Sequence, residues 1–94
     1  MSDTTRLQWL SNVPSVLLSG WHLCLDGKAR KICMNGTVVE VAPRSTSAGL
    51  TEAYTVRVDG FDAFPPSASV CEAFGRAEEA VDKNGGLCHP ENPC

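Results

Sequence analysis

Residues 20–43 read GWHLCLDGKARKICMNGTVVEVAP, and the fold turns on how this stretch is read. Two turn signals, Asp26-Gly27 and Asn35-Gly36, divide it into three runs. Asn-Gly between apolar runs favours a two-residue type I′ turn, because both central residues need positive φ. That turn predicts Ile32 opposite Val39, Cys33 opposite Val38 and Lys31 opposite Glu40. The first turn has two readings. A two-residue Asp26-Gly27 turn puts Trp21 opposite Ile32 but Leu23 opposite Arg30. A loop over 27–30 puts Leu25 opposite Ile32, Leu23 opposite Met34 and Asp26 opposite Lys31. The second is preferred, because register follows the pairing that gathers apolar side chains on one face. The predicted core face is Trp21, Leu23, Leu25, Ile32, Met34, Val39 and Val41. The predicted solvent face is His22, Cys24, Asp26, Lys31, Cys33, Val38 and Glu40.

The flanking chain extends this meander. Residues 1–12 predict a short opening helix capped by Asp3 or Thr4, stopped by Pro14. Trp9 on it is either a core residue or a surface anchor for a partner. The first strand is expected over 15–26, broken near Ser19-Gly20, and the third strand ends at Pro43, which lacks the N–H a central ladder needs. Residues 44–51, RSTSAGLT, have loop composition. In 52–59, Tyr54, Val56 and Val58 alternate with Thr55, Arg57 and Asp59, the period of a strand. Residues 60–67 read as a connector, with Phe61 and Phe64 folding back on the core. A capping box, Ser69 with Glu72, opens a helix over 69–83. Its apolar stripe is Val70, Ala73, Phe74, Ala77, Ala80 and Val81. Glu72 with Arg76 and Glu79 with Lys83 line the opposite face, where Gly75 also falls. The fold class is therefore α+β: an antiparallel meander of three or four strands, covered on one face by one C-terminal helix. Residues 1–87 form the single domain, and 88–94, rich in proline, form a flexible tail.

Length and composition bound the function. Ninety-four residues make one domain with one modest core. The net charge of −3 lacks the clustered basic footprint that direct nucleic-acid binding needs. No run is long enough to cross a membrane, and no secretory signal is read at the N-terminus. The expected location is cytoplasmic, with the five cysteines as reduced thiols.

The cysteines and carboxylates admit three chemistries. In the preferred register Cys24 and Cys33 lie opposite one another, and a bridge there needs their Cβ atoms about 4 Å apart. Cys24, Cys33, Cys88, His89 and Cys94 are zinc-type donors, but they lack the tight Cys-x2-4-Cys knuckle of structural sites. Cys71 sits in the first turn of the predicted helix, where the dipole favours a thiolate, yet no catalytic signature flanks it. The carboxylates Glu72, Glu78, Glu79 and Asp82 read as a solvated helix face. No cofactor and no enzymatic activity are expected. A small zinc- or thiol-dependent regulatory protein, or a self-associating structural domain, stands as the alternative class.

A short helix, three strands and a final helix is similar to the double-stranded-RNA-binding domain. The helix here begins SVCEAFGRAEEAV, without that family's lysine-rich start, so the RNA-binding function is set aside. The succession Gly20-Trp21, Asp26-Gly27, Tyr54 and an alanine-rich helix resembles some anti-CRISPR inhibitors, small acidic proteins of phages and mobile elements. That resemblance implies a non-enzymatic inhibitor of a bacterial CRISPR–Cas effector complex. It would occupy a surface stoichiometrically, as a monomer or dimer in the host cytoplasm, and block target DNA or nuclease recruitment. The contacts expected under it are Trp9, Asp26, Glu40, Glu72 and Glu79.

Overall fold

Asx-Gly pairs fold this chain into a meander. In the computed structural model, which describes residues 8–11, 13–45, 51–86 and 89–94, five strands lie in the order β1-β2-β3-β4-β5, each antiparallel to its neighbour. They are β1 (His22–Leu23), β2 (Ala29–Ile32), β3 (Val38–Ser45), β4 (Thr51–Val58) and β5 (Phe61–Asp62). One helix, α1 (Val70–Lys83), covers one face. The α+β class holds, with a fifth strand beyond the three or four expected. The extra strand comes from Asp59-Gly60, read in the sequence as the end of the fourth strand and the start of a connector. Asp59 (φ 51°) and Gly60 (φ 84°) both take positive φ, and Val58 pairs with Phe61 across them. This is the two-residue hairpin turn expected at Asn35-Gly36.

At Asn35-Gly36 only the glycine is left-handed (φ 91°). The Cys33 N–H donates to the Thr37 carbonyl (2.7 Å), and the Gly36 N–H to the Cys33 carbonyl (2.9 Å). The loop is thus three residues, 34–36. The preceding hairpin repeats it: the Cys24 N–H donates to the Lys28 carbonyl (2.8 Å), around a loop at 25–27 that ends on Gly27 (φ 86°). In each loop the Asx side chain accepts the N–H two residues on: Asp26 Oδ1 from Lys28 (3.1 Å), Asn35 Oδ1 from Thr37 (2.9 Å). These loops correct both expected registers. His22 pairs with Arg30, Leu23 with Ala29, Arg30 with Glu40, Lys31 with Val39 and Ile32 with Val38.

A one-residue slip turns every side chain of a strand over. In β2 it is Ala29, Lys31 and, just beyond, Cys33 that are buried, while Leu25 (67% exposed), Met34 (51%) and Leu23 lie open. Of the expected core face, Trp21, Val39 and Val41 are buried as read. They pack with Val56, Phe74, Ala77 and Val81 into the core. Trp21 meets Phe74 edge-on at 5.4 Å, and Trp9 stacks on it at 6.2 Å. Lys31 is buried beneath α1. Its ammonium pairs with Glu78 Oε1 (2.9 Å), the same oxygen that accepts the Trp21 indole N–H (2.8 Å), and it sits 4.9 Å from the Trp21 ring.

The expected first strand divides. Ser15–Leu18 is 3-10 helix, Gly20 (φ 81°) turns the chain, and only His22–Leu23 is strand. The opening helix falls mostly outside the described residues, and its described end, Gln8–Leu10, is a 3-10 turn. The loop at 44–51 also lies largely outside them, with Arg44 and Ser45 belonging to β3. Pro43 therefore does not end β3. It faces Tyr54, whose N–H and C=O both bond to Ser67 on the other side (2.8 Å each), so no ladder donor is missed.

Of the expected stripe on helix α1, Ala73, Phe74, Ala77, Ala80 and Val81 are buried, and Val70 is half-buried against the core. Ser69 makes no side-chain cap bond, so the capping box does not form, and Glu72 instead pairs with Arg76 (2.7 Å). The described part of the tail, 89–94, is fastened to the sheet. Cys94 forms a disulfide with Cys24, and the His89 N–H donates to the Ile32 carbonyl (2.7 Å). The flexible tail and the thiol state expected for these two cysteines give way to that tether.

Candidate functional site: the open face of the sheet

Alternation sends Tyr54, Val56 and Val58 of β4 toward α1, and Thr55 and Arg57 the other way. Among the described residues no helix covers that second face. Arg30, Glu40, Thr55, Arg57 and Asp62 lie across it, and the connector brings Phe64 and Pro66 to its rim. Between them is a shallow depression of about 420 Å³, lined by Lys28, Glu40, Thr55, Arg57, Asp62 and Phe64 among others.

Charges on this face are held in pairs. Arg30 is the hub. It bonds Asp26 through Nη2, and its Nε donates to Glu40 Oε1 (3.1 Å) with Nη2 2.9 Å from the same oxygen. Lys28 Nζ lies 3.7 Å from Glu40, and Arg57 Nε donates to Asp62 Oδ1 (3.0 Å). Partial burial pushes the Asp26 carboxyl up. The Arg30 hydrogen bond, the Lys28 backbone N–H and the charges of both residues outweigh this and hold it below its ordinary value. Burial likewise opposes the Arg30 charge, yet Asp26 and Glu40 raise its pKa further. The result is a fixed mosaic of charge beside an apolar rim.

The structure divides the residues expected to make contacts. Asp26 and Glu40 come together through Arg30. Glu72 and Glu79 lie on the opposite layer, on the outer side of α1, paired with Arg76 and with Lys83 (3.7 Å). Trp9 is half-buried between Tyr54 and Phe74, and its indole N–H donates to the Gly27 carbonyl (2.8 Å). The expected contacts therefore do not form one surface. Arg30, Arg57 and Asp62 were missed. The period-2 pattern of 54–58 already marked Arg57 as outward-facing, whereas Arg30 and Asp62 depended on the register and on the unread fifth strand.

The metal-type donors also separate. Cys24 and Cys94 are joined, Cys33 is a buried thiol and Cys71 an exposed one. The Cys24–Cys33 juxtaposition disappears with the register that created it, and Cys88 lies outside the described residues. Among the described residues no group of three or more His, Cys, Asp or Glu side chains is placed to hold a metal ion. No described helix is long and apolar enough to cross a membrane. No protein family, curated protein or solved structure matches the chain.

Proposed function

We propose that the protein is a non-enzymatic binding protein that occupies a partner's surface stoichiometrically through the open face of its sheet. The observation that carries this reading is that face itself: a concave surface that no described helix covers, with ordered ion pairs and an apolar rim at Phe64. On convex α1, Glu72 and Glu79 stand in exposed pairs, which contribute little to affinity. The layout resemblance makes a bacterial CRISPR–Cas effector complex, met in the host cytoplasm, the first partner to test. Target DNA or nuclease recruitment is the step such docking would block.

Size-exclusion titration of the full chain against a purified effector complex tests the reading. A stoichiometric complex is expected. Arg57→Glu, a charge reversal on the open face, should weaken it roughly tenfold or more, as a charged contact in the interface would. Glu79→Lys on α1 should leave it unchanged. Failure to form a complex removes the named partner, and a loss confined to Glu79→Lys moves the docking surface to the helix.

A further inference from the structure

We propose that the C-terminal segment is a thiol-releasable strap over the outer edge of β2, with the Cys24–Cys94 disulfide as its latch. Strand β1 is short. It covers the outer side of β2 only as far as the His22–Arg30 pair. The next outward-facing carbonyl, that of Ile32, takes its donor from the tail at His89 (2.7 Å). The tail therefore does for Ile32 what a longer β1 would have done. Within the tail the Glu91 N–H donates to His89 Nδ1 (3.1 Å) and the Cys94 N–H to Asn92 Oδ1 (2.9 Å).

The latch is built to open without unpacking the fold. Cys94 is exposed, whereas Cys24 is buried, so an attacking thiolate reaches the Cys94 sulfur first. Cys24 lies outside the cluster of core residues that Phe74, Val39, Val41 and Val56 form. Its sulfur is 3.7 Å from the His22 carbonyl, an acceptor already in place for the thiol that release would create. The reductant is a dithiol. One of its thiolates bonds to Cys94 Sγ and the Cys24–Cys94 bond breaks. Cys24 leaves as thiolate and takes up a proton. The second thiol of the reductant then displaces Cys94, leaving a cyclic disulfide on the reductant. Two electrons pass from the dithiol, and both protein sulfurs end as thiols. Oxidised, the strap covers the β2 edge; reduced, it leaves Ile32 open. This does not depend on which partner the opposite face binds.

The full chain, purified without reductant, is divided, and one half is treated with dithiothreitol. Peptide mapping reads the linkage, and amide exchange followed by NMR reads the strap. A linked Cys24–Cys94 peptide is expected before treatment and none after it. The His89 amide should then exchange roughly tenfold faster, the loss of about one hydrogen bond. The amides of Val39 and Val41, opposite Lys31 and Ala29, open only with the whole fold, so they should speed up by the stability that reduction removes yet remain slower than His89. Cys94→Ser, a change at an exposed position, should show the fast His89 exchange with no reductant. Absence of the linked peptide overturns the proposal. So does unchanged His89 exchange in the reduced chain or in Cys94→Ser. Exchange at Val39 and Val41 as fast as at His89 also overturns it, because the disulfide would then hold up the whole domain and not a strap.

Discussion

Lys31 shows how one side chain reports a whole register. It is 4% exposed, yet its ammonium is satisfied by Glu78 and by the Trp21 ring. The two partners are not equivalent. Glu78 keeps 43% of its side chain in solvent and can hydrate if Lys31 is lost, while Lys31 has no such recourse. Glu78→Ala should therefore cost about 1–3 kcal/mol, the range for stranding a buried charged donor. Lys31→Met should cost less, since it replaces a buried charge with an apolar chain of similar length. Urea denaturation of both variants checks the order; equal losses would mean the pair acts only through its mutual attraction. Asp26 gives a second test at this scale. Its carboxyl is held below the ordinary value of 3.8, so its ionised form stabilises the fold above that pH. The contribution is lost as pH falls through the depressed folded value. Asp26→Asn keeps the acceptor for the Lys28 N–H, as Asn35 does in the twin loop, but loses the charge on Arg30. The variant should be less stable than the parent at neutral pH and approach it below pH 3.8, a convergence that thermal melts across pH would show. A constant gap across that range would rule out the charge as the cause.

Among the elements, the helix and the turns obey different rules, and two glycines separate them. A Cβ added at Gly75 or at Gly36 meets nothing within 4 Å, so sterics with neighbours drop out. Gly75 has helical backbone on the solvent side of α1, and Gly75→Ala should stabilise by about 0.5–1 kcal/mol. Gly36 sits at φ 91°, and Gly36→Ala should destabilise by about 1–2 kcal/mol. Chemical denaturation of the pair checks both signs, and a stabilising Gly36→Ala would mean that its loop gives up the left-handed residue. The same contrast explains what could be read from the sequence. Helix α1 was legible because its stripe of alanines around Phe74 repeats at helical spacing over about three turns, and β4 because Tyr54, Val56 and Val58 alternate without interruption. The hairpins were legible as turns but not as registers. An Asx-Gly pair is compatible with two-residue and three-residue loops, and the choice lies in whether the Asx residue itself takes positive φ. Asp59 does; Asp26 and Asn35 spend their side chains on the N–H two residues on instead. One residue of loop then exchanged the faces of β2, exposing Met34 and burying Lys31. The open-face site was only half legible for the same reason.

For the molecule as a whole, the tether from Cys24 to Cys94 spans 70 residues of sequence and joins sulfurs whose Cα atoms are 5.4 Å apart. Nothing local marks that pair, and five cysteines allow many pairings, so spacing alone could not select it. Its energetic weight follows from chain statistics. A cross-link over a loop this long removes roughly 4 kcal/mol of unfolded-chain entropy on the loop-closure account. A domain of this size is stable by about 5–14 kcal/mol in all. The linked chain should therefore lose a large share of its stability on reduction and still be folded at room temperature. That is the condition a releasable strap requires. Cys94→Ser should lower the melting temperature by on the order of 20 °C for a loss of that size, with native circular dichroism at 25 °C. Differential scanning calorimetry of the variant beside the oxidised and reduced parent checks this. The variant and the reduced parent should melt together, well below the oxidised form. If all three melt together, the cross-link does not constrain the unfolded chain. If the variant is already unfolded at 25 °C, the tail is a necessary part of the fold and cannot act as a strap.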